Sequence, residues 1–206
     1  MYFYVTKAFQ VHKHVLTTRH GAIESGACRL PSATYAYKYP VALGNIDSLG
    51  GIKFKGNLCG HVLQIDCGKG KLNITVINSN LGGGLDLYSS SWSKATNNLP
   101  PGQQYCSVQL TSLNSLTSNN PKCYHATDET KNQYYRSVGL LNTGGKLVIK
   151  ATFKGKNGAN NGQDFYYSFS DPGTETDKVT FFFNDGTSYS VPLGDCISNP
   201  KYQIWQ

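Results

Sequence analysis

Short alternations of apolar and polar residues, each closed off by Gly, Pro or Asn, recur along this chain and point to strands rather than helices. They predict strands at Val41-Ala42-Leu43, His61 to Ile65, Leu72 to Ile77, Ser107 to Leu110, Ser137 to Leu141, Lys146 to Phe153, Asp164 to Ser170, Lys178 to Asn184 and Thr187 to Pro192. Phe181-Phe182-Phe183 followed by Asn184-Asp185-Gly186-Thr187 predicts a strand, a tight turn and its returning partner. The one helical expectation is a short turn near Ser89 to Ala95, directly after Leu85-Asp86-Leu87.

With 206 residues the chain can form two ordinary domains, each burying a core. Thr111 to Lys122 has neither helical nor strand periodicity and predicts a linker. The expected organisation is an N-terminal arm over 1–19, a first domain over 20–112, a linker over 113–122 and a second domain over 123–206. Four or five strands of about six to eight residues fit the second domain to a small antiparallel β-sandwich. Asn157 to Gln163 is expected to be a flexible loop at a hairpin tip. The fold class is all-β.

Composition narrows the surface chemistry. Only 15% of residues are charged, against roughly 25% in an average soluble protein. Gly, Asn, Ser, Thr and Tyr make up the difference, a surface suited to sugar or protein contacts at low entropic cost. Residues 1–106 carry ten Lys or Arg against four Asp or Glu, whereas the remainder carries nine against eight. The positive charge therefore belongs to the first half, where it would attract acidic polysaccharide or acidic protein. No dense Lys/Arg cluster is interleaved with aromatics, so nucleic acid is not an expected partner.

Cys28, Cys59, Cys67, Cys106, Cys123 and Cys196 are spaced too widely for paired metal-ligand motifs. Three disulfides are expected, in closed sets before and after residue 107, with Cys123 bonded to Cys196 across the second domain. Bridges of this kind imply an oxidising compartment: secreted, in the cell wall, or in a vacuolar lumen. Met1 to His20 has no apolar run of signal-peptide length, so a leader has been removed or the protein is made without one. Nor is any stretch apolar enough for a membrane-spanning helix, and no membrane partner is expected. His12, His14 and His20 read as strand alternation and a basic arm rather than metal ligands, and no metal or cofactor is expected. Asn73-Ile74-Thr75 fits the glycosylation triplet but falls on a predicted strand.

The succession Gly26-Ala27-Cys28, Val41-Ala42-Leu43, Cys59-Gly60, Ile74-Thr75-Val76-Ile77-Asn78 and Gly84-Leu85-Asp86-Leu87, with an aromatic at Trp92, resembles the double-psi β-barrel over about residues 20–112. That barrel is shared by expansins, related endoglucanases, lytic transglycosylases, barwin-like proteins and a bacterial papain inhibitor. The resemblance implies a six-stranded barrel followed, as in expansins, by a β-sandwich. It also implies a groove that displays Asp86, because alternation turns Leu85 and Leu87 into the core. In hydrolases of this type the matching Asp acts as the acid. Here Asn78 stands at the family's other common Asp position, and an amide cannot act as a general base. Glu24, Asp47 and Asp66 are the replacement bases on offer, with nothing in the sequence to set any of them across from Asp86. No catalytic residue is therefore expected.

The expected groove residues are Asp86, Asn78, Tyr88 and Trp92. Expansin-like sugar binding by the second domain would need an aromatic platform, for which Tyr166, Tyr135 and Trp205 are the candidates. Tyr134 is a further candidate, while Phe165 and Tyr167 are expected to enter the core. Three functions follow. The first is a non-catalytic, expansin-like protein binding cell-wall polysaccharide. The others are a self-assembling structural or storage protein and an inhibitor of papain-type cysteine proteases.

Overall fold

The computed structural model describes residues 9–44, 53–132, 134–199 and 201–206. Its first six strands are β1 (His12–His20), β2 (Pro40–Gly44), β3 (Val62–Asp66), β4 (Lys71–Asn80), β5 (Leu85–Tyr88) and β6 (Gln103–Leu110), with one helix, α1 (Ser89–Thr96), between the last two. They close into a barrel in the order β1-β5-β2-β4-β3-β6, with β6 returning to β1. Two of the pairings, β1 with β5 and β2 with β4, are parallel.

The arm expected over 1–19 is, from His12 onward, a barrel strand. Only His12, Val15 and Thr17 of β1 are buried, so apolar alternation gives almost no sign of it. What holds it is a pair of hydrogen-bonded ladders to β5 and β6, both remote in sequence. The barrel interior is filled by side chains such as Leu43, Leu63, Ile65, Ile74 and Leu87, all at most 1% exposed. At roughly 1.5–3 kcal/mol for each fully buried aliphatic side chain, this core dominates the barrel's stability. Cys28–Cys59 and Cys67–Cys106 staple the barrel, and Cys123–Cys196 the second unit.

The second unit contains β7 (Lys122–His125), β8 (Arg136–Leu141), β9 (Val148–Phe153), β10 (Lys156–Asn157), β11 (Tyr166–Phe169), β12 (Lys178–Phe183) and β13 (Ser188–Pro192). They form antiparallel sheets β10-β9-β12-β13 and β11-β8-β7. Val138, Leu140, Tyr167 and Phe169 meet Phe153, Val179, Phe181 and Val191 in a core between them. The β12–β13 hairpin turns at Gly186, whose φ of 83° is a left-handed conformation open to glycine.

All six residues of β8 are buried, because its sheet is covered on both faces. The second cover is the barrel: Tyr124, Leu141, Phe165 and Tyr166 belong to the barrel's core cluster. Arg29 reaches Asp164 at 2.9 Å and Gly56 N–H donates to Gly162 O at 2.9 Å across the same junction. The segment 157–163, expected to be a free hairpin tip, is thus docked on the barrel. The expected linker is packed as well. Ser115 and Leu116 are buried, Ala36 N–H donates to Ser115 O, and Leu116 N–H donates to Asn142 Oδ1. Past Cys196 the chain returns to the barrel, where Gln203 N–H donates to Leu30 O and Trp205 pairs with Glu24 in both directions.

Candidate functional site

Strand register builds the site. Thr18 of β1 lies opposite Asp86 of β5, Asp86 opposite Ala42 of β2, and Ala42 opposite Asn78 of β4. The last match depends on a register shift between Val41 and Ala42, where β4 accommodates an extra residue. Thr18, Asp86, Ala42 and Asn78 thereby share one row across four strands, with the smallest side chain between the acid and the amide.

Asp86 is not alone in this row. Thr18 Oγ1 donates to its Oδ1 at 2.7 Å, and His20 Nδ1 lies 3.4 Å from its Oδ2. The other ring nitrogen of His20, Nε2, lies 2.8 Å from Glu24 Oε1. A neutral imidazole carries one N–H, so only the imidazolium can donate to both carboxylates. His20 also sits against the Tyr88 ring at 4.5 Å between centroids. Of the three replacement bases weighed, none of which the sequence could set near Asp86, Glu24 reaches the same cluster through His20.

Asn78 is the hub on the opposite side. Its Nδ2 donates to Glu24 Oε1 at 2.9 Å and to the Tyr88 hydroxyl at 3.1 Å. Its Oδ1 accepts Ala27 N–H at 2.8 Å and Ser79 N–H at 2.9 Å. Both functions of the amide are therefore used, and an aspartate could supply only the acceptor half. Tyr88 O–H completes the triangle by donating to Glu24 Oε1 at 2.8 Å. Burial alone would raise the Glu24 pKa. The hydrogen bonds from Tyr88, His20 and Asn78, with the His20 charge, outweigh it and hold the carboxyl below its ordinary value. Burial and the neighbouring Glu24 push the Tyr88 phenol well above its own ordinary value.

The loop bearing Glu24 is fixed by close backbone contact. Gly26 has φ 70°, and a Cβ there would stand 2.2 Å from Ile77 O. Cys28 N–H donates to the same carbonyl at 3.1 Å, and the Cys28–Cys59 bridge holds the far side. The site itself is shallow: the side chains of Asp86 and Glu24 keep 23% and 38% of their exposure.

Other expected site residues lie elsewhere. Trp92 is 2% exposed in α1 and donates its indole N–H to Leu99 O, so it packs the barrel rather than facing a ligand. Tyr88 is fully buried, and only its hydroxyl joins the cluster. Phe165, Tyr166 and Tyr167 are all buried, because both faces of β11 are covered; the Tyr166 hydroxyl donates to Arg29 O. Trp205 is 4% exposed and stands edge-on to Tyr35 at 4.8 Å. Of the candidate platform residues only Tyr135, with its neighbour Tyr134, keeps substantial exposure. Asp66 closes the turn after β3 by accepting Gly68 N–H, and Asp47 lies outside the described residues. Among the described residues no group of three or more His, Cys, Asp or Glu is placed to hold a metal ion.

Sequence reasoning missed His20 as a site residue. The only available signal was its spacing of four residues from Glu24, which means little without the β1–β5 pairing.

The sequence matches no protein-family model and no curated protein. Solved structures similar in fold include two of an expansin. One is the apo expansin of Clavibacter michiganensis, with a TM-score of 0.66, 16% identity and 96% of each chain covered. The other is an aspartate-to-asparagine mutant of that expansin in complex with cellohexaose, with the same score, identity and coverage. The likeness spans both barrel and sandwich.

Proposed function

We propose that this chain is a non-catalytic, expansin-like protein that binds cell-wall polysaccharide along the surface beside Asp86. The observation that carries this reading is the His20 ring lodged between Asp86 and Glu24. An inverting hydrolase keeps its two carboxyl groups roughly 6.5–9.5 Å apart so that water can enter between them. In this site that space holds an imidazole in contact with both. Glu24 is moreover a weakened base, its Oε1 already accepting from Tyr88 and Asn78. What is left is a shallow row of hydrogen-bonding groups suited to sugar hydroxyls.

The similarity of fold to a structure described as an expansin in complex with cellohexaose supports a glucan among the ligands. Two parallel pairings within a closed six-stranded barrel support the finer double-psi reading. Three disulfides support a secreted protein.

Pull-down on insoluble cellulose, chitin and peptidoglycan tests the proposal. Retention on at least one, weakened about tenfold by Asp86→Ala (about 1.4 kcal/mol) and without release of reducing ends, is the expected result. No retention on any of them, or steady release of soluble sugar, overturns it.

A further inference from the structure

Away from the Asp86 row, a cleft of about 530 Å³ opens between the β3–β4 turn and α1, within the range of roughly 300–1,000 Å³ usual for ligand sites. Three lysines line it: Lys69 and Lys71 from the turn, and Lys94 from the helix. No carboxylate lines it, and none of the three lysines has an acidic partner among the described residues. Asp66, the nearest acid by register, faces Lys71 across the ladder but is turned into its own hairpin to accept Gly68 N–H. Lys94 alone would be explained by its place in the last turn of α1, where a cation complements the helix dipole. Convergence with two exposed lysines from a separate element is not explained that way, since like charges on one cleft repel unless an anion is bound.

The cleft is built on rigid supports. Cys67, at the base of the turn, is bonded to Cys106 of β6, so Lys69 and Lys71 project from covalently anchored backbone. On the other side Asn97 and Asn98 hold left-handed conformations that end the helix, and Asn98 N–H donates to Ser93 O. The remaining lining is neutral and hydrogen-bonding, including Tyr39, Ser90 and Asn98. Ammonium groups alternating with hydroxyls and amides match a sugar chain bearing carboxylates. Nucleic acid would favour exposed aromatic faces for base stacking or arginine forks for phosphate, and among the described residues the cleft has no arginine and only the half-buried Tyr39. Tyr39 and Ser90 also line a second cleft of about 600 Å³ that carries Lys38, so the positive track continues beyond the first.

The geometry points to this lysine cleft as a binding site for an acidic, uronate-bearing polysaccharide, separate from the Asp86 row. The inference rests on reading the chain as a polysaccharide binder and names a second ligand class for it. Polygalacturonate, its fully methyl-esterified form, cellohexaose and single-stranded DNA are the probes, compared by calorimetry and by retention at rising salt. The expected result is binding of polygalacturonate that is at least tenfold stronger than that of the ester and is screened away by salt. The triple substitution Lys69→Gln, Lys71→Gln, Lys94→Gln lowers it at least tenfold and leaves cellohexaose affinity unchanged, with the thermal midpoint read as a check on folding. The single reversal Lys69→Glu should weaken it as well. Equal binding of acid and ester, an unaffected triple variant, or tighter binding of DNA than of polygalacturonate overturns the site. No binding of the unsubstituted protein to cellulose, chitin or peptidoglycan, with polygalacturonate binding intact, would instead overturn the role of the Asp86 row.

Discussion

Asn78 Nδ2 donates to Glu24 Oε1 at 2.9 Å, tying the end of β4 to a loop 54 residues earlier in the chain. With Tyr88 O–H on the same oxygen, this bond explains why an amide occupies a position where the resemblance leads one to expect an acid.

Asn78→Asp sets two carboxylates in contact and removes the donors to Glu24 and Tyr88. Like charges raise the pKa of one of the pair, so the folded state takes up a proton more readily than the unfolded chain. The stability deficit is therefore greatest at neutral pH, about 1.5–3 kcal/mol on the scale of a hydrogen bond to a charged group. It shrinks as the pH falls and a shared proton bridges the pair. Urea unfolding at neutral pH and near the ordinary carboxylate pKa checks this; a deficit independent of pH contradicts it.

His61 is buried, and desolvation pushes its pKa down from 6.5 to about 4. The unfolded chain binds the proton first, so the stability contributed by neutral His61 is complete above about 6.5 and is lost as the pH falls to about 4. That loss amounts to about 3 kcal/mol at most. His61→Leu should flatten the stability curve across this window without levelling it, because burial also lowers the pKa of His125. Parallel curves for the two proteins would refute the assignment.

Gly26→Ala and Gly68→Ala separate backbone conformation from steric clash. Both glycines have left-handed φ, 70° and 81°, but an added Cβ meets Ile77 O at 2.2 Å in the first and nothing within 4 Å in the second. The second substitution should cost about 1 kcal/mol and the first about 3 kcal/mol or more. Because Gly26 lies in the loop that bears Glu24, the first should also weaken polysaccharide binding. Equal costs would mean that the loop yields freely.

Trp205 buries its ring while its indole Nε1 has no acceptor among the described residues. Trp205→Phe therefore forfeits no hydrogen bond and keeps an edge contact with Tyr35, costing less than about 1.5 kcal/mol. Trp205→Ala leaves a cavity and should cost about 3–5 kcal/mol. Chemical denaturation of the pair distinguishes them, and a phenylalanine variant as unstable as the alanine one would point to a hidden partner for the N–H.

Individual elements show what could be read without coordinates. The β12–β13 hairpin follows from alternating Phe181 and Phe183 and the Asn184-Asp185-Gly186 turn, all within a dozen residues. The short helix directly after Leu85-Asp86-Leu87 was legible too, and so was the Cys123–Cys196 bridge, from the count of thiols and their division about residue 107. Tyr166 shows the limit. Alternation correctly sets it opposite Phe165 and Tyr167, but predicts exposure for one face of a strand whose two faces are both covered. β1 shows a different one: its partners β5 and β6 lie far along the chain, and its own residues are mostly polar.

By itself the sequence determined an all-β chain, its turns, the division of its cysteines and the display of Asp86 between two core leucines. These are properties of neighbours in the chain, set by the two-residue period of a strand and the conformational demands of glycine and asparagine. Only the tertiary structure decided that Thr18, His20 and Glu24 meet Asp86 and Asn78. That meeting depends on the register of parallel strands joined by long crossovers, where no short turn fixes the pairing and burial of the whole barrel selects it.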